Sequence, residues 1–369
     1  MLYISITLHI ALFALLQDVP TNSVSDGPYI FHQEDGTLKS ISVVEGEVIS
    51  SMITTSDGEA IVHTSIPSVP AITIAPGHYF IPKDTVPMPT TLLAVSDLEG
   101  NLDHLLSFLQ THKVIDDQFN WSWGDNHLLF NGDSVDRGVQ VTELLWFIRK
   151  LQRQSILSGG QVHFVLGNHD VMILADDIRY THDKYKIVSE KTGIPYHELF
   201  SETSVLGKWL RNQNSAVQIG PYLFVHAGYG PELHKLQFSL TEINDKIRAA
   251  IGPPAWPEKE DLGTSLAWNS KGPLWYRGYF EKHAEKYGPK PSPEELQAIL
   301  DTHKAKAIIV GHTVTGNVGY LDGNKQLIGI DVHWDTIGEG EGLLITEGTL
   351  RRLTMDGSSK ELLDIPTGK

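Results

Sequence analysis

An α/β fold is what the sequence predicts, and two observations predict it. Six brief apolar runs fit buried strands: "TLLAV" (91–95), "HLLF" (127–130), "VHFVL" (162–166), "LFVHA" (223–227), "AIIV" (307–310) and "LIGI" (327–330). Between the first three lie amphipathic stretches of helical period, residues 102–112 and 141–154. Strands and helices that alternate in this way layer around a sheet.

Taken in order, the chain opens on "LYISITLHIALFALL", residues 2–16, apolar and uncharged. That length is short for a membrane span. It suits the h-region of a secretory signal, with Ser23-Val24-Ser25 as a small-x-small cleavage site, although no Lys or Arg precedes it. A secreted or periplasmic protein with a signal at 1–25 is expected; an uncleaved anchor or a buried terminal helix are the alternatives. Residues 26–90 read as a small β-rich region, punctuated by Asp35-Gly36 and Asp57-Gly58 and closed by a Pro-rich stretch. The main body is expected at 91–346 and a C-terminal extension at 347–369. Within the body, polar helical segments between His169 and Pro221 and between Pro231 and Lys306 read as insertions forming a helical wall, and Ser292-Pro293 marks a helix start.

The balance of 29 basic and 45 acidic residues, formally −16, argues against nucleic acid or anionic lipid as a bulk partner. There is no cysteine, so thiolate ligands, disulfides and a cysteine nucleophile are excluded. Any metal must be held by His, Asp, Glu or Asn.

The strand-like runs end in similar chemistry. Asp97 and Glu99 follow the first in "VSDLEGN"; Asp133, Asp136 and Arg137 follow the second in "NGDSVDRG"; Asn168 and His169 follow the third in "LGNHD". His226 and His312 follow two later runs, in "FVHAG" and "VGHT". Open α/β sheets build their sites beyond the carboxyl ends of strands, so five segments can converge on one crevice. Each motif alone is weak: a Gly-Asn-His is commonly a turn, an Asp-Arg a solvated pair, and a His after a strand a core residue. Their succession at βαβ-sized spacing is the informative feature.

Crowded carboxylates repel unless a cation joins them. A dinuclear site removes that conflict, with one ion on Asp97, Glu99 and Asp133, and the other sharing Asp133 and taking Asn168, His226 and His312. Such a pair of divalent ions holds a phosphate by its oxygens and supplies a bridging hydroxide for in-line attack. Gly100, Gly132 and Gly167 fit tight turns beside it.

The succession Asp-x-Glu-Gly-Asn, Gly-Asp-x-x-Asp-Arg-Gly, Gly-Asn-His-Asp, Val-His-Ala-Gly, Gly-His-Thr resembles the calcineurin-like metallophosphoesterases over roughly 92–345. The Asp-Arg-Gly ending and "GPLWYRG" (272–278) resemble their phosphoprotein phosphatase branch, particularly the Shewanella-like protein phosphatases. The resemblance implies a four-layer α/β/β/α sandwich with two sheets. It also implies that His169, oriented by Asp136, serves as acid or hydrogen-bond donor at the leaving oxygen, and that Arg137 and Arg277 clamp the phosphate.

Two positions depart from most of the family. Glu99 stands where a His is usual, which makes the first ion's shell all carboxylate and favours manganese, magnesium, calcium or iron over zinc, with manganese expected. Val314 stands where many of the superfamily's phosphodiesterases carry another His, a difference shared with the protein phosphatases; His333 is a candidate substitute or simply a packed histidine. Trp275, Tyr276, Tyr279 and Phe280 flank Arg277 and read either as core or as a rim that stacks an aryl or peptide group. The expected activity is that of a metal-dependent phosphomonoesterase on phosphoproteins, on phosphotyrosine or phosphoserine/threonine. A small-molecule or nucleotide phosphatase on the same site and a non-catalytic exported metal-binding scaffold are the alternatives.

Overall fold

The structure, a computed structural model, describes residues 24–55, 59–75, 79–252, 262–263 and 265–368. The expected signal h-region lies outside the described residues. Of its cleavage site, Val24 is buried and Ser25 accepts the Glu45 N–H at 2.9 Å.

Two sheets carry the body. The first has the strand order Ser359–Lys360, Thr349–Thr354, Glu341–Thr346, Thr91–Val95, His127–Asn131, Gln161–Val165. Its last three strands are parallel and connected by the helices Leu102–Thr111 and Val141–Leu157. The second has the order Leu363–Ile365, Gly319–Leu321, Asn324–Gly329, Ala307–Val310, Tyr222–Val225, Ala216–Ile219, Thr85–Val86, with a parallel centre. The central strands are apolar without alternation because both faces are covered: in Ala307–Val310 and Tyr222–Val225 every residue is buried.

The helices form where the periodicity places them. In Leu102–Thr111, Leu102, Leu105, Leu106, Phe108 and Leu109 make the buried face. In Val141–Leu157 that face includes Leu144, Leu145, Ile148 and Leu151, set against the strand Gln161–Val165. Against the second sheet lies Leu240–Ala249, whose Asn244 accepts the N–H groups of Ser215 and Ala216 at 2.8 and 3.0 Å. Helices outside and two sheets inside give the four-layer α/β/β/α order. The helix Pro293–His303 starts with the reciprocal cap its sequence announces, Ser292 and Glu295 each accepting the other's N–H.

The β-rich N-terminal stretch forms an antiparallel sheet of Asp26–His32, Leu38–Val44 and Glu47–Ile53, then a hairpin of Ala60–His63 and Ala71–Ile74. It is fastened to the body: Trp146 donates its indole N–H to the Pro28 carbonyl at 2.9 Å, and Asp26 pairs with Lys184 at 2.9 Å. Its end differs from the boundary expected at residue 90, because Thr85–Val86 is already the edge of the second sheet, parallel to Ala216–Ile219. The residues after 346 differ likewise from an appended extension. Thr349–Thr354 and Ser359–Lys360 extend the first sheet and Leu363–Ile365 the second. "TLRRLT" pairs as a strand without presenting an apolar run, because its arginines are satisfied across the pairing: Arg351 donates to the Ser359 carbonyl at 2.7 Å and Arg352 pairs with Glu341.

Candidate metal centre at the strand ends

All five expected segments meet at the carboxyl ends of the two sheets. The backbone there is unusual. Asp97, Glu99, Asp133, Asp136, Arg137 and His312 all have positive φ, between 47° and 69°. Non-glycine residues are held in that region only where the surroundings over-determine them, which is characteristic of functional loops. Space is equally tight. A Cβ on Gly132, itself at φ +93°, would stand 2.3 Å from His226 Nδ1, and one on Gly167 would stand 2.1 Å from Asp133 Oδ1.

Asp133 lies at the centre. Its Oδ1 accepts the His169 N–H at 2.8 Å, and its Oδ2 lies 3.2 Å from His226 Nε2 and 3.9 Å from His169 Nε2. Two sets of donor atoms gather on it: Asp133 with His226 and His312, and Asp133 with Glu99 and His169. Asn168 joins the first set, its Oδ1 lying 3.0 Å from His226 Nε2. Asp97 closes over it, accepting the His312 N–H at 3.1 and 3.2 Å and the Ser96 hydroxyl at 2.5 Å.

The protonation pattern suits divalent cations. Burial raises Asp97 to about 6, with Asp133 adding to the rise and His226 opposing it. Burial pulls His226 down, but Asp133 and Asp97 outweigh it and bring the imidazole to about 10. His226 Nδ1 lies 2.9 Å from the Asn131 carbonyl, which turns Nε2 toward Asn168 and Asp133. His312 is held well below the usual imidazole value by burial and by Arg277 and His226, so its ring is neutral, and its buried Nε2 has no hydrogen-bond partner. Asp133 is held below the usual carboxylate value, burial being outweighed by His226 and His169. A neutral histidine with an orphaned buried nitrogen beside two buried carboxylates, Asp97 and Asp133, is a donor set that fits a cation.

His169 and its neighbours form the more open side. Its Nδ1 lies 2.8 Å from Asp136 Oδ2, and Asp136 Oδ1 accepts the Thr181 hydroxyl at 2.8 Å. Burial lowers the His169 pKa, but Asp133 and Asp136 more than compensate and leave it raised. Arg137 is paired with Glu99, has Nη2 3.4 Å from His169 Nε2, and lies 5.6 Å from the centre of the Tyr180 ring. Arg277 donates to the Thr313 hydroxyl at 3.1 Å, and its charge is felt at His312.

Other expectations resolve individually. Tyr276, Tyr279 and Phe280 are core residues, whereas Trp275 sets its ring edge-on to His312 at 6.0 Å. His333 is half-exposed beside Asp335 at 3.6 Å and stands outside both donor sets. Three residues that the sequence reading gave no role complete the site. Asp331, buried at the end of Asn324–Gly329, is pushed well above the carboxylate range by burial and by Asp97. It occupies the same strand-end position that singles out Asp97 and Asp133. Asp170, the last letter of "GNHD", accepts the N–H groups of Gly167, Asp133 and Ser134 at 2.8, 3.0 and 3.2 Å and so fixes both turns. Tyr180 packs its ring, tilted by 57°, against His169 at 5.0 Å; nothing in its local sequence signals that.

A two-sheet α/β sandwich with carboxylates, an asparagine and histidines at its strand ends defines a metal-dependent phosphoesterase. Residues 90–316 match the calcineurin-like phosphoesterase family, and the chain belongs to that family. It is 29% identical over 238 residues to Shewanella-like protein phosphatase 1 of Plasmodium berghei, covering 64% of each chain. It is 25% identical to Shewanella-like protein phosphatase 2 of Arabidopsis thaliana, covering 66% of this chain and 71% of that one. Among solved structures it is similar to a cold-active protein-tyrosine phosphatase of a psychrophilic Shewanella species, with a TM-score of 0.82 and 29% identity over 92% of this chain and 99% of that one.

Proposed function

We propose that this protein is a phosphomonoesterase acting on phosphoproteins, with two divalent ions held about Asp133. The observation that carries this reading is that one carboxylate is shared by two donor sets, Asp133 with His226 and His312 and Asp133 with Glu99 and His169. With the buried Asp97 taking part and His169 left for the leaving oxygen, Asp97, Glu99 and Asp133 would hold one ion, and Asp133, Asn168, His226 and His312 the other. When bound, the ions supply Lewis acidity toward the phosphoryl oxygens and a water nucleophile at neutral pH. Glu99 gives the first ion an oxygen-only shell, which favours manganese.

The chain's own groups do the remainder. His169, kept protonated by Asp136 and Asp133, delivers a proton to the leaving oxygen. Arg137 offers the phosphate a planar pair of donors once Glu99 turns to the ion, and Arg277 approaches from the opposite sheet. The relatives named as protein phosphatases support a phosphoprotein substrate. Tyr180, 46% exposed beside His169, puts an aromatic ring next to the proton donor, and once Arg137 turns to the phosphate that ring can pack on an aryl leaving group, which favours phosphotyrosine. The apolar segment 2–16 supports export, which N-terminal sequencing of the protein from cell fractions tests.

The test is hydrolysis of an aryl phosphate with and without manganese, then a panel of phosphotyrosine peptides, phosphoserine peptides and dinucleotides. Manganese-dependent turnover with the highest kcat/KM on phosphotyrosine peptides is expected. No turnover with any divalent metal contradicts the reading, and a preference for dinucleotides replaces the substrate class.

A further inference from the structure

A cavity at the far end of the first sheet takes no part in the metal centre. Its volume is about 570 Å³, and it opens between the helix Val141–Leu157, the strand Ala71–Ile74 and the start of the strand Gln161–Val165. That volume is ample for a small molecule. Gln161 and Val162 line it, whereas Asn168 and His169 follow the other end of the same five-residue strand. At about 3.3 Å per residue the two sites stand roughly 16 Å or more apart.

The larger part of the cavity wall is apolar, and some of it faces water. Phe80, Ile156 and Leu157 line it at 69%, 59% and 82% exposure. Large apolar side chains left together in water mark a surface that binds something.

The cavity is also cationic, in a protein of formal charge −16. Arg149 lies in its wall between two indoles, 5.7 Å from the Trp146 ring and 5.8 Å from that of Trp209, and donates to the Val205 carbonyl at 3.2 Å. Among the described residues no carboxylate pairs with it; what offsets its burial is the phenol of Tyr79. Lys150 is spent on the carbonyls of Ser68 and Phe119, both at 2.8 Å, and burial draws it down to about 8. Arg153 meets Glu59 at 3.2 Å in solvent. Neither Arg149 nor Lys150 has a carboxylate partner among the described residues, but the Lys150 ammonium is committed to two carbonyls, whereas the Arg149 guanidinium has one carbonyl and donors to spare.

A desolvated guanidinium is costly until an anion shares its charge, and its planar fork matches a carboxylate. With Lys150 engaged elsewhere, one single-charged head suits the site better than a phosphate dianion. We propose that this cavity binds a medium-chain carboxylate, its acid group on Arg149 and its hydrocarbon against Ile72, Ile156 and Leu157.

The experiment is calorimetric titration of the full chain with octanoate and with octanol, the same tail without the charge. One saturable octanoate site is expected, at least ten-fold tighter than octanol, and Arg149→Met should bring octanoate down to the affinity of octanol. Because Arg149 bridges two indoles, a second variant guards against misfolding. Thr73→Trp fills the cavity from its strand and should abolish octanoate binding while leaving aryl phosphate hydrolysis unchanged. Equal affinity for octanoate and octanol, no saturable binding to the wild type, or full octanoate affinity in Thr73→Trp overturns the proposal.

Discussion

The two donor sets that share Asp133 are built differently. On the His226 and His312 side every donor is buried: the Asn131 carbonyl fixes the His226 ring, and the His312 backbone N–H is anchored on the Asp97 carboxylate. On the Glu99 side the groups hold one another. Glu99 pairs with Arg137, whose side chain is 49% exposed and rests on Tyr180. The first arrangement is fixed before any ion or substrate arrives, which favours affinity. The second is made of long side chains with alternative partners, so it can rearrange when an ion draws Glu99 and a phosphate draws Arg137. Affinity should therefore reside on one side of Asp133, and adaptation to substrate on the other.

Asp133→Asn breaks the comparison at its centre, and the largest loss is expected there. The amide oxygen can still accept the His169 N–H, so the fold should stay, but the shared negative charge is gone. Lewis-acid stabilisation is worth several kcal/mol, so turnover should fall by about 10³-fold or more together with metal content. Elemental analysis, circular dichroism and aryl phosphate hydrolysis check the three parts.

His169→Ala comes next, with a loss of about 10²- to 10⁴-fold as for other general acids. Metal content should be unchanged. A substrate with a good leaving group should lose less than one with a poor leaving group; equal losses would contradict the proton-donor role.

Glu99 sharpens the distinction between the sides. Glu99→Ala should weaken one ion and leave the other, giving close to one manganese per chain in equilibrium dialysis where the wild type holds two. Glu99→His should keep both ions and shift preference toward zinc or iron. Unchanged stoichiometry in Glu99→Ala would make Glu99 simply the partner of Arg137.

The smallest expected effect is a displaced pH limb. His169 owes its raised pKa to Asp133 and Asp136, which oppose its burial. Asp136→Asn removes one negative partner, so the imidazolium loses its proton at lower pH. The alkaline limb of kcat should move down in pH with metal content unchanged. A limb that stays in place would assign that titration to another group.

Much of this was legible in the sequence, for identifiable reasons. Strands buried on both faces read as unbroken apolar runs, and the residue types beyond "TLLAV", "HLLF" and "VHFVL" are those that metal ions require. The strand ends converge because parallel βαβ units bring all their carboxyl ends to one side. What escaped lacked such a signal. Thr85–Val86 is a two-residue edge strand, and Thr349–Thr354 stands next to the edge with two arginines in its middle, so neither shows an apolar run. Asp170 acts only through three backbone N–H groups, and Tyr180 reaches His169 by tertiary packing from a separate loop. The Glu99–Arg137 pair joins two motifs that the sequence could place in one crevice but not in contact.

The central claim is that Asp133 joins two ion sites of different character, and anomalous scattering from manganese-soaked crystals tests it most directly. The account predicts two peaks, one on each side of the Asp133 carboxylate, with Glu99 against one and His226 and His312 against the other. At limiting manganese the histidine-side peak should fill first. A single peak, or two peaks neither of which touches Asp133, would contradict it.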